Sequence, residues 1–102
     1  MEMRFGDVMV VLMKEKKHVQ ITTMMIIDLL RRAERMTENN KPGCARSVLN
    51  VVKKYFGIII TDIKDQKLRE YLTERIKEIE AKVENKFNEI GKLSVGEGNE
   101  SS

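Results

Sequence analysis

A chain with one cysteine and one histidine has little scope for covalent, redox or metal chemistry. Cys44 has no partner for an intramolecular disulfide, and a thiolate zinc site needs more than one such ligand. His18 follows a run of charged residues, and no Ser, Cys or Asp stands in a spacing that implies a catalytic triad. The glycines at positions 6, 43, 57, 91, 96 and 98 form neither a dinucleotide-binding nor a P-loop fingerprint. Long apolar runs are missing as well. Val8 to Met13, and Met24 to Leu30 with Asp28 inside it, fall far short of the ~20 residues that span a bilayer. Arg4 and Asp7 precede the first run and no small-residue cleavage site follows it, so the sequence reads as intracellular, soluble and cytoplasmic. No enzyme activity, cofactor or metal is expected.

What is present is charge and helical spacing. Of 102 residues, 41% are hydrophobic and 34% charged, enough for one small domain and a protruding element. Residues 1 to 56 carry 11 Lys/Arg against 6 Asp/Glu, and residues 57 to 102 carry 8 against 10, so the halves stand at +5 and −2. An anionic partner would therefore dock on the first half. Glu70, Glu74, Glu78, Glu80 and Glu84 are interspersed with basic residues, the pattern of a solvated helix face rather than of a paired-carboxylate site. Seven methionines fit a flexible core, and Cys44 fits a small residue tolerated beside a turn better than a redox switch.

Asp7 can cap a first helix reaching Lys17, although its valines would also suit a strand. His18 to Thr22 reads as a short extended piece. Thr22 or Thr23 then caps a second helix to about Thr37, with Met24, Ile27, Leu30 and Met36 facing inward. Glu38 to Gly43, ENNKPG, is the clearest turn. From Cys44 the segment CARSVLNVVKKYF places Val48, Leu49, Val52 and Phe56 on one stripe, with Arg46, Ser47, Asn50, Lys53 and Lys54 opposite and no acid among them. Gly57 is expected to stop this helix, leaving Ile58 to Thr61 as a strand. A fourth helix, capped by Asp62 or Asp65, can run to Ile90 and end at Gly91. Its Leu72, Ile76, Ile79, Val83 and Ile90 form a short heptad seam, and the residues from 94 on read as a disordered tail.

The order helix, extended piece, helix, turn, helix, strand and the segment ARSVLNVVKKYFGIII resemble winged helix-turn-helix regulators, in particular small archaeal and archaeal-virus ones with a C-terminal dimerisation helix. The resemblance implies a mainly α, winged-helix-like three-helix domain over residues 1–63 with a short β element. A dimerising coiled-coil helix over 64–93 would follow. It implies a homodimeric transcription regulator bound to double-stranded DNA. Arg46, Ser47 and Asn50 would meet base edges, and Lys53, Lys54 and Lys41 would meet phosphates. Lys64 and Lys67 would stand in for a reduced wing. An alternative rests on a faint echo: Val11-Leu12, Lys16-Lys17 and Ile21-Thr22 recur as Val48-Leu49, Lys53-Lys54 and Ile60-Thr61. It describes two tandem helix-strand-helix units with a peptide-binding groove, a non-enzymatic protein-interaction module whose apolar seam is used internally.

Overall fold

The computed structural model describes the backbone of residues 3–101 and the side chains of residues 3–92. Four helices follow one another, α1 (Phe5–Leu12), α2 (Lys17–Glu38), α3 (Pro42–Ile59) and α4 (Gln66–Ser101), and no strand occurs among the described residues. The mainly α expectation is met. The winged-helix resemblance is overturned, because a wing requires β strands and the segment expected to supply one is helix and turn. The tandem helix-strand-helix units fail for the same reason.

The cause lies in where the apolar steps continue. Ala45, Leu49, Val52, Phe56, Ile59 and Ile63 advance by alternating steps of four and three, so Ile59 and Ile63 extend the stripe beyond Phe56. Ile59 and Ile63 are buried. A helix that crosses Gly57 places Ile59 in the core at a local cost of about 1 kcal/mol relative to Ala, whereas burying one Ile stabilises by about 1.5–3 kcal/mol. The second helix likewise starts earlier than its threonines suggest. Val19, Thr23, Ile26, Leu30, Ala33 and Thr37 form its inward stripe, so His18 to Thr22 is helical, Thr23 is core rather than cap, and Met24 is exposed. The first helix, by contrast, stops at Leu12. Asp7 serves it from the third turn position, where its carboxylate accepts the Arg4 N–H at 3.3 Å.

α2 and α3 form an antiparallel hairpin with the largest helix–helix interface in the molecule. The turn is a Schellman closure: Asn40 takes φ 62°, the Lys41 N–H donates to the Met36 carbonyl at 2.8 Å, and the Asn40 N–H donates to the Thr37 carbonyl at 3.2 Å. Pro42 begins α3, where its missing N–H costs nothing. α4 lies along both arms of the hairpin, and α1 touches it on the other flank. Leu68, Leu72, Ile76, Ile79 and Val83 join residues from the other three helices in one core.

At the end opposite the hairpin turn, Glu15 fastens two connections together. Its buried carboxylate accepts the N–H groups of Lys64 and Asp65, both at 2.9 Å, and its carbonyl accepts from Gln20 Nε2 at 2.9 Å. Asp65 then caps α4 by accepting the Leu68 N–H at 2.9 Å. α4 passes Gly91 without ending and is helical to Ser101, over the stretch expected to be a disordered tail. At 1.5 Å per residue its 36 residues reach about 54 Å, which accounts for most of the 60 Å long axis.

Candidate interaction surface

Two of the three basic side chains of α3, Arg46 and Lys53, project from the flank that faces α4, and α4 answers them with acids. Arg46 pairs with Glu84 and lies over the Phe87 ring, 4.2 Å from its centroid. Lys53 pairs with Glu80. Ser47 donates its hydroxyl to the Gly43 carbonyl at 3.3 Å. Asn50, Lys54 and Lys41 are exposed and make no side-chain hydrogen bond or ion pair among the described residues. The six residues singled out for DNA therefore divide. Two cations are matched by acids from a helix about 30 residues further along the chain, which chain order alone does not place beside them.

The heptad seam expected to pair two copies closes within the chain. Leu72, Ile76, Ile79 and Val83 are at most 6% exposed, covered by the chain's own helices, and Ile90 is half-buried. Four of the five have no surface left for a second molecule in this fold. Of the acids interspersed along α4, Glu78, Glu80 and Glu84 take up surface ion pairs. The Lys82 ammonium beside Glu34 holds that carboxyl below its ordinary value of 4.5, and the same hydrogen bond raises Lys82 above 10.5. His18 meets Asp62 at 2.9 Å on the surface. No group of three His, Cys, Asp or Glu that could hold a metal ion occurs among the described residues.

A different feature of α3 was hidden in plain sequence. Cys44, Val48, Val51, Tyr55 and Ile58 advance by steps of four, three, four and three, a second heptad stripe beside the one that enters the core. Val51, Tyr55 and Ile58 stay 42%, 38% and 61% exposed. They lie on the flank of α3 away from Arg46 and Lys53, hence away from α4. Because the hairpin turns at residues 39–41, Ile21 of α2 comes level with Ile58, and Met25 with Tyr55. Ile21 is 62% exposed, so each arm of the hairpin carries exposed apolar surface at this level.

A groove of about 950 Å³ runs on the other side of the molecule between α1, α2 and α4. Val11, Ile27, Leu30 and Tyr71 supply its apolar lining, and Arg31, Arg75, Glu70, Glu74 and Glu78 its charges. Phe5 of α1 roofs one end, with the Arg31 guanidinium 5.1 Å from its ring centroid. Acids and bases are mixed along this groove, with Asp7, Glu70, Glu74 and Glu78 beside Arg31, Lys67 and Arg75, so it presents no field of one sign to a ligand. No helix among the described residues is long and apolar enough to cross a membrane. No family model matches the chain, and comparison with curated proteins and with solved structures finds no match.

Proposed function

We propose that this protein is a non-enzymatic, helical protein-interaction module that receives a partner helix on the outer face of the α2–α3 hairpin. The observation that carries the reading is the second heptad stripe of α3, left open beside a first stripe that is covered. A period of 3.5 residues fits a helix laid alongside it, since only a helix returns a side chain to the same line at that interval. Contiguous apolar patches of a few hundred Å² on a soluble domain mark interaction sites.

The competing reading is a duplex-binding regulator that uses α3. It retains Lys54, Lys41 and Asn50 as free donors but must release Arg46 from Glu84 and Lys53 from Glu80 to gain its full charge. A photo-crosslinking amino acid at Ile58 separates the two, with the same group at exposed Lys77 of α4 as control. Adducts to a helix-forming segment from position 58, absent from position 77, are expected. No adduct at 58, together with duplex binding whose steep salt slope disappears in Lys53→Glu/Lys54→Glu, overturns the proposal in favour of DNA.

A further inference from the structure

We infer that the helix received on this face is α3 of a second copy of the same chain, packed antiparallel across a two-fold axis near Lys53. The inference rests on the interaction-module reading and names its partner.

The stripe is complementary to itself in one orientation. With the axis level with Lys53, Val51 of one copy lies opposite Tyr55 of the other, and Val48 opposite Ile58. Each layer then pairs a smaller side chain with a bulkier one, as close packing of facing helices requires. A parallel arrangement would instead stack Tyr55 on Tyr55 and Val51 on Val51, leaving one crowded and one thin layer. A two-fold axis uses the same patch on both copies, so the α3 stripe of one chain is covered by that of the other and the pair closes without leaving a further α3 surface for a third copy.

The exposed parts of Val51, Tyr55, Ile58 and Ile21 make up a few hundred Å², a suitable apolar centre for a standard interface of roughly 800 Å² per partner. Met25 and the stem of Lys54 lie at its margin. Lys54 of each copy flanks the stripe as an exposed cation, and the charge effect it has across the two-fold is repulsion between two solvent-exposed ammonium groups. Salt screens that repulsion. Association held by the stripe therefore persists or strengthens as ionic strength rises, the reverse of duplex binding.

Sedimentation velocity and light scattering on the full chain, at about 100 µM in low and high salt, should give twice the 11.8 kDa chain mass in both. Val51→Glu and Ile58→Glu should each return the mass to one chain with unchanged helical circular dichroism, because both sites are exposed. The register is read separately with cysteine pairs. In a Cys44→Ser background, a mixture of Val51→Cys and Tyr55→Cys chains should form a mixed disulfide-linked dimer under mild oxidation, because these two positions stand opposite each other. Native Cys44, nine residues from the axis, should not, since two such residues stand about 27 Å apart.

A single-chain mass at this concentration overturns the inference. So does a dimer that dissociates as salt rises, one that survives both Glu variants, or one that links through Cys44. A monomer whose Ile58 adducts fall on another protein's helix would overturn the second copy as occupant and leave the interaction-module reading standing.

Discussion

α3 carries two apolar stripes side by side, and they have met different fates. Leu49, Val52 and Ile59 are at most 2% exposed beneath α2 and α4, whereas Val51, Tyr55 and Ile58 on the neighbouring flank remain between 38% and 61% exposed. The residue types are nearly the same and the period is the same. What distinguishes the two is the chain's supply of cover. α4 is long enough to lie along both arms of the hairpin on one side, and α1, eight residues long, sits against α2 and α4 rather than on the outer face. Hydrophobicity therefore marks both stripes for burial, and topology decides which of them is buried within one molecule.

The comparison is broken most directly by truncating one side of each stripe. Leu72→Ala, which removes cover from the closed side, should destabilise the fold by about 2–5 kcal/mol, while Val51→Ala on the open side should shift monomer stability by less than about 0.5 kcal/mol. Urea unfolding at low protein concentration measures both. Equal losses would mean that the outer stripe is as well covered as the inner one.

Glu15→Ala tests whether the closed side depends on its polar fastening as well as on packing. It leaves the Lys64 and Asp65 N–H groups without their acceptor in a partly buried connection, and about 1–3 kcal/mol should be lost. Amide exchange should speed at Lys64 and Asp65 before it does at Leu49 or Val52. Exchange that rises uniformly through the core would contradict a local fastening.

Gly57→Ala is smaller and opposite in sign. The position is helical and exposed, and a Cβ added there meets nothing within 4 Å, so a gain of about 0.5–1 kcal/mol is expected in thermal unfolding. A loss would mean that the α3 C-terminus needs the glycine and that the helix tends to stop where sequence reading stops it.

The smallest effect belongs to the Glu34–Lys82 pair, an exposed ion pair worth at most about 1 kcal/mol. Glu34's folded pKa lies below its ordinary 4.5, so its contribution is complete above that value and is lost as pH falls through the lowered one. Lys82's lies above 10.5, so its contribution is complete below that value and is lost as pH rises through the raised one. Glu34→Gln should therefore be slightly less stable than the parent between these limits, with the gap closing at the acid edge. A gap unchanged from neutral to strongly acidic pH would assign the loss to packing rather than charge.

Much of the molecule could be read from spacing alone. The four helical segments, the ENNKPG turn, an aspartate cap at Asp62 or Asp65 and the apolar spacing of the α4 seam all come from local patterns whose physical signal spans a few residues. The errors share one form. Gly57, Thr22, Thr23 and Gly91 carry local signals for ending or starting helices, and burial of Ile59, Val19 and Thr23 overrides those signals where they are buried. The acid-free face of α3 was visible, but its neutralisation by Glu80 and Glu84 was not, because it depends on how α4 folds back. The second stripe of α3 was visible too, as steps of four and three, and was masked by the lysines between its members.

The sequence by itself determined that this is a helical chain with repeated 3.5-residue stripes, a turn within Glu38 to Gly43 and a basic third helix. Those properties follow from side-chain periodicity and backbone preference, which act over one or two turns. Only the tertiary structure decided which stripes are spent inside, which cations are answered by acids and which apolar face stays exposed. Each of those outcomes depends on what another segment brings alongside, and apolar burial is non-directional until packing gives it a direction.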